Sequence, residues 1–140
     1  MKSFFIGIVI VLISGEASSS QCRQIFYGST DADMAHALEN YEGIFLARAT
    51  FIPPVNNIAV KYGQVFELEV LKAYRGPSVG KKMRAVQNLF GDSYQFKSEM
   101  EYLVFASDIG EHDLTVRRCS RTTQLKYANN EIGALNERTK

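Results

Sequence analysis

The sequence predicts a mainly β domain, a small five-stranded barrel with one helix before it and one after. Three observations predict it. Five stretches carry strand signals, most of them alternating apolar and polar residues and one a strongly apolar run. Glycine, proline and asparagine clusters separate them. Apolar residues at helical spacing recur only near the two ends of that array.

The first helix is expected after Thr30, which with Asp33 fits a capping pattern. Met34, Ala37, Leu38 and Tyr41 then share one helical face, and Gly43 is a suitable stop. Residues 44–52 (IFLARATFI) form the first strand, with Phe45, Ala47, Ala49 and Phe51 on its inner face. Small and large inward residues in alternation suit a narrow barrel. Pro53-Pro54 and Asn56-Asn57 end it. Residues 62–74 form a long, half-buried second strand, Phe66, Leu68 and Val70 opposing Glu67 and Glu69, with Gly63 at a bend. After the turn Arg75-Gly76-Pro77, residues 82–90 form the third strand, with Met83, Ala85 and Leu89 inward. Residues 101–106 (EYLVFA) form the fourth. A hairpin at 108–111 leads to a short fifth strand, 113–118, that ends at Cys119. Leu125, Ala128, Ile132 and Leu135 mark the closing helix. This order suits an OB-type Greek-key barrel. A five-stranded sheet with two packed helices is the alternative.

Residues 1–20 read as a signal peptide. Lys2 supplies the positive start, residues 4–13 an unbroken apolar run, and residues 14–20 a tail of mostly small residues. The run is about half the roughly twenty residues a membrane-spanning helix needs, so no stable span is expected. Cleavage could follow Ala17, Ser19 or Ser20. Gln21 stands where a lipid-modification signal wants a small residue, which argues against lipidation at Cys22. The remainder, residues 21–140, reads as one domain, secreted or periplasmic. The only cysteines, Cys22 and Cys119, then read as one disulfide. It would close a loop of about 97 residues, worth roughly 4–5 kcal/mol in the chain-entropy model.

Little else carries chemistry. The net charge is +1 and stays so once Lys2 and Glu16 leave with the signal peptide, so nucleic acid is not an expected partner. Lys81, Lys82 and Arg84 read as a solvated strand face. His36 and His112 are too few and too far apart for a zinc site, so neither a metal nor another cofactor is expected. Asp108, Glu111 and Asp113 read as turn carboxylates, and no nucleophile or phosphate-cradling motif is present, so an enzyme is not expected. Tyr62, Tyr74, Phe90 and Tyr94 could stack on an oligosaccharide or another small ligand, the alternative to a protein partner, although they suit the barrel interior better.

The segments Val70-Leu71-Lys72-Ala73-Tyr74-Arg75-Gly76, Glu101-Tyr102-Leu103-Val104-Phe105-Ala106 and Cys119-Ser120-Arg121-Thr122, with Leu125 and Ala128 after them, carry a resemblance. Together with Cys22 and residues 43–47 (GIFLA), they resemble the tissue inhibitor of metalloproteinases family, in particular its bacterial members with a netrin-like OB-fold. The resemblance runs from Cys22 to Leu135. It implies an exported protein-binding module whose partner is an exported protease or another envelope protein. In the family's animal inhibitors, a terminal Cys-x-Cys ridge chelates the protease's zinc through the first cysteine's amine and carbonyl. Here Cys22 matches the second ridge cysteine and Cys119 its partner, while Ser20 stands in the first cysteine's place. The region that would hold that first cysteine's partner, residues 91–94 (GDSY), has no cysteine either. The implied ridge is Ser20, Gln21, Cys22 and Arg23, with one of the family's two bridges missing at both ends.

The disulfide expectation is checked by alkylating the exported protein before and after reduction. Labelling of both cysteines should require reductant. Labelling without it would remove the tie.

Overall fold

The computed structural model describes residues 31–54, 63–88 and 91–139. Their order is α1 (Asp31–Asn40), β1 (Gly43–Ile52), β2 (Gln64–Arg75), β3 (Lys82–Gln87), β4 (Met100–Ala106), β5 (Asp108–Ile109), β6 (Asp113–Thr115) and β7 (Thr123–Gln124), then a 3-10 turn (Leu125–Tyr127) and α2 (Asn129–Arg138). The described residues are mainly β, a curled mixed sheet of seven strands with two helices. The expectation of five strands is corrected at two places. The segment that begins the expected hairpin at 108–111 is itself paired, as β5, and Thr123–Gln124 adds β7 against β4. The expected fifth strand shortens to β6, with a single further bridge at Arg117. The closing helix starts four residues later than its apolar stripe, after the 3-10 turn.

The sheet order is β5-β6-β3-β2-β1-β4-β7. All neighbours are antiparallel except β3 and β6, which run parallel through Arg84↔Asp113 and Ala85↔Leu114. Strands β4 and β5 are separated only by Ser107, yet they stand near opposite ends of that order. The continuous stretch 100–109 therefore pairs with β1 along its first part and with β6 along its last. The Ser107 amide bridges the break, donating to the Thr115 carbonyl at 3.0 Å.

One core lies on the concave side. Phe45, Ala47, Ala49, Phe66, Leu68, Val70, Met83 and Ala85 face it, as the alternation predicts, with Tyr102, Val104, Leu114 and Val116. Phe51 packs against this core and is part-buried. A second core forms on the other side of β1 and β4, where Ile44, Leu103 and Phe105 meet Met34 and Ala37 of α1 and Leu135 of α2, with Ala128 just before α2. Residues 102–106 are apolar without alternation because β4 is covered on both faces.

Away from the helices the outer face is charged. Glu101, Arg48, Glu69 and Lys82 stand opposite one another across β4, β1, β2 and β3, and Glu67, Arg84 and Asp113 do so across β2, β3 and β6. Arg48 Nη2 meets Glu101 Oε1 at 2.8 Å, Lys82 Nζ meets Glu67 Oε1 at 3.0 Å, and Arg84 Nε meets Asp113 Oδ1 at 2.9 Å. Hydrogen bonds to these carboxylates raise the pKa of Arg48 and Lys82. Exposed pairs of this kind add little stability, but opposite charges side by side favour one strand register over a slipped one.

Two glycines are required. At Gly76 φ is +96°, and a Cβ would stand 2.8 Å from Ile109 Cδ1 and 3.1 Å from Gly43 Cα. At Gly63, where the sequence predicts a bend, φ is +109° and a Cβ would stand 2.3 Å from the Gln87 carbonyl oxygen.

Leu68 is fully buried, so Leu68→Ala should cost about 2–5 kcal/mol in urea unfolding. Val86, on the outer face of β3, is 49% exposed, and Val86→Ala should stay within about 0.5 kcal/mol of the parent. Equal losses at the two positions would contradict the assignment of inner and outer faces.

Candidate interaction surface

Residues 91–97 return from the end of β3 and lie beside the extension of β6. The side chains that reach them from the sheet belong to β3 and β4. Gln87 is buried, accepts the Phe96 amide on Oε1 at 2.7 Å and donates through Nε2 to Gln95 Oε1 at 2.8 Å. Tyr102 Oη accepts the Lys97 amide at 2.8 Å. Ser93 Oγ caps Asn88 from both sides, accepting its amide at 2.7 Å and donating to its carbonyl at 3.1 Å. The backbone then pairs with the β6 extension. The Tyr94 amide donates to Val116 O at 2.9 Å and the Arg118 amide to Asp92 O at 3.1 Å, around the bridge Ser93↔Arg117.

The next residues turn sharply, the Ser120 amide donating to the Arg117 carbonyl at 3.0 Å. Cys119 is exposed in this turn. Thr122 anchors the far side, buried, with Oγ1 accepting the Phe105 amide at 2.9 Å and the Ser120 hydroxyl at 2.8 Å. Region 91–94 and the Cys119 turn are therefore backbone neighbours, although 25 residues separate Tyr94 from Cys119 in sequence.

Two concavities flank the turn, and Arg117 lines both. The larger is an open groove of about 940 Å³ over the outer faces of β3 and β6. Arg84, Val86, Asp113, Thr115 and Arg117 form its floor, with Asp92 and Asp108 also lining it. The smaller, about 270 Å³, lies between α1 and the turn, where His36, Asn40 and Tyr41 face Ser107, Arg117 and Arg121.

Of the residues the sequence marks, Cys119 and region 91–94 are brought together, while Ser20, Gln21, Cys22 and Arg23 lie outside the described residues. His36 and His112 are both exposed, and they lie on α1 and in the turn before β6. Asp108, Glu111 and Asp113 are exposed, with Asp113 paired to Arg84 and Glu111 3.5 Å from His112. Among the described residues no group of three or more His, Cys, Asp or Glu side chains is placed to hold a metal ion. No helix among them is long and apolar enough to cross a membrane.

Two of the aromatics considered for stacking are packed instead. Tyr94 meets Phe96 and Tyr102 edge-on, with ring centroids 4.9 and 5.8 Å away, and Tyr74 packs against the second core. Tyr62 and Phe90 lie outside the described residues. Sequence reasoning passed over Arg117 and Arg121. The signal was present in the basic residues crowded around Cys119, Arg117-Arg118 before it and Arg121 after it. No protein-family model matches the chain, and no curated protein does so at a significant level.

Burial, with the neighbouring Tyr102 hydroxyl, pushes the Tyr94 pKa up from 10.0 to about 12. The folded state thus holds this proton more tightly than the unfolded chain. The associated stability is complete below pH 10 and is lost as pH rises from 10 to about 12. Urea titrations across that window should show the fall, and Tyr94→Phe should flatten it. An unchanged slope in the variant would contradict the packing described for this ring.

Proposed function

We propose that this chain is an exported protein–protein interaction module built on a netrin-like OB barrel, not an enzyme, acting after its signal peptide is removed. The strand pairing supports the barrel. With β4 and β5 taken as one strand bent at Ser107, the order is β1-β2-β3-β6-β5/β4 and back to β1, with β3 and β6 parallel. That order is compatible with a five-stranded Greek-key barrel and supports this reading. In this reading β7 is an added edge.

The observation that carries the proposal is the adjacency of region 91–94 and the Cys119 turn. In the metalloproteinase inhibitors that the sequence resembles, these two places anchor the N-terminal ridge. Here the Arg118–Asp92 and Tyr94–Val116 backbone hydrogen bonds join them. A Cys22–Cys119 disulfide would bring Ser20, Gln21, Cys22 and Arg23 to the same corner, at the rim of the groove. That segment and the groove form the proposed contact surface, and the partner is an exported protease or another envelope protein.

Zinc chelation is a narrower matter. It requires Ser20 to be the free terminus, offering its amine and carbonyl, and the rigidity of a second bridge is lacking. Binding through the ridge and groove does not require either.

The test is affinity retrieval from the exported proteome with the mature protein, followed by reconstitution with the purified partner. A defined partner should bind the parent and bind Cys22→Ser at least about tenfold more weakly, because the ridge loses its anchor. A partner indifferent to that change would overturn the ridge. Zinc endopeptidases inhibited only by protein that begins at Ser20 would extend the proposal to inhibition.

A further inference from the structure

We propose that Arg117 selects the partner by receiving a carboxylate from an extended segment of that protein, which lies in the open groove over β3 and β6. The inference rests on the interaction-module reading above and names the chemistry of the partner at that surface. The other arginines of the described residues are committed. Arg48 and Arg84 pair with Glu101 and Asp113, Arg118 donates to the Gly91 carbonyl, and Arg75 donates to the Leu38 carbonyl. Arg121 and Arg138 are engaged as well. Among the described residues, Arg117 is the arginine left without an ion pair or a side-chain hydrogen bond, and it is exposed. Asp92 and Asp108 line the same groove, yet neither forms an ion pair with it.

The backbone of Arg117 is fixed while its guanidinium is uncommitted. The residue bridges to Ser93, its carbonyl accepts the Ser120 amide at 3.0 Å, and Val116 before it is buried. Cys119, the proposed ridge anchor, follows two residues later. A guanidinium so held presents planar, paired donors that suit a carboxylate. Val86 supplies exposed apolar surface in the same floor, with the Arg84–Asp113 pair and Thr115. Apolar surface within a polar rim, with an arginine at hand, is the usual composition of a protein–protein contact. Asp92 and Asp108 oppose a segment of uniformly negative charge, so the fit is to one carboxylate beside an apolar side chain. The volume of about 940 Å³ lies at the upper end of the roughly 300–1,000 Å³ that hold a compact ligand, which leaves room for a short peptide segment.

The experiment selects a phage-displayed library of random peptides on the mature, full-length protein and titrates synthetic copies of the enriched sequences by NMR. Enriched peptides should carry Asp or Glu close to an apolar residue, and saturable shifts should centre on residues 84–86 and 113–117. Arg117→Gln should weaken binding roughly tenfold, and Arg117→Lys should restore part of the loss. Val86→Ala should weaken it about two- to fourfold, while Lys126→Gln should leave it unchanged. Added salt should weaken binding to the parent, and Arg117→Gln should flatten that dependence. Arg117 is exposed, so its variants should keep the urea midpoint of the parent. No enrichment, enriched peptides without a carboxylate, shifts outside the groove, or Arg117→Gln titrating like the parent would overturn the inference. The retrieved partner separates this inference from the reading it rests on. A partner that binds Arg117→Gln as it binds the parent overturns the role of Arg117 and leaves the interaction module standing. Retrieval of no partner removes the interaction module, and the peptide titrations still decide the groove.

Discussion

The structure depends on two strands that bury both faces. β1 and β4 are neighbours in the sheet, and each sends alternate residues into different cores. Phe45, Ala47, Tyr102 and Val104 fill the concave side, while Ile44, Leu103 and Phe105 support the helices. A one-residue slip would exchange the two sets and place ring-sized side chains where alanines now fit. The opposed pairs Arg48↔Glu101 and Arg48↔Glu69 reinforce the same register from outside. The helices therefore complete a second core on the outer side of β1 and β4.

The candidate surface depends on that frame. Segment 91–97 has little regular structure of its own, and side chains of β3 and β4 hold it. Gln87 stands at an inward position of β3, next in alternation after Met83 and Ala85, where an apolar residue would be the ordinary choice. Its amide instead fixes Phe96, and Tyr102 fixes Lys97 from across the core. A buried amide with both ends bonded costs little, whereas one left unbonded is expensive. Side-chain hydrogen bonds thus secure a loop that contains no cysteine.

Charge is distributed unevenly over this small molecule. The outer rows of β1, β2 and β3 alternate in sign and largely neutralise one another. At the Cys119 turn Arg117 and Arg121 line one cavity together with His36, Asn40, Tyr41 and Ser107 of the described residues.

Alternation and helical spacing alone determined that this is a mainly β chain flanked by two helices, and which residues face inward. Those periods are imposed by backbone geometry, so Phe66, Leu68, Val70, Met83 and Ala85 could be read before any contact was known. The same local logic marked Gly63 and Gly76 as special positions. The sequence could not announce β5 or β7, because two-residue strands have no period to detect. It left open whether residues 102–106 were one-faced or two-faced, since an unbroken apolar run fits either. Only the tertiary structure placed region 91–94 beside the Cys119 turn and gathered His36, Tyr41, Arg117 and Arg121 around one cavity. Those residues come from separate stretches of chain, and long-range strand pairing, which no local pattern encodes, decides where they meet.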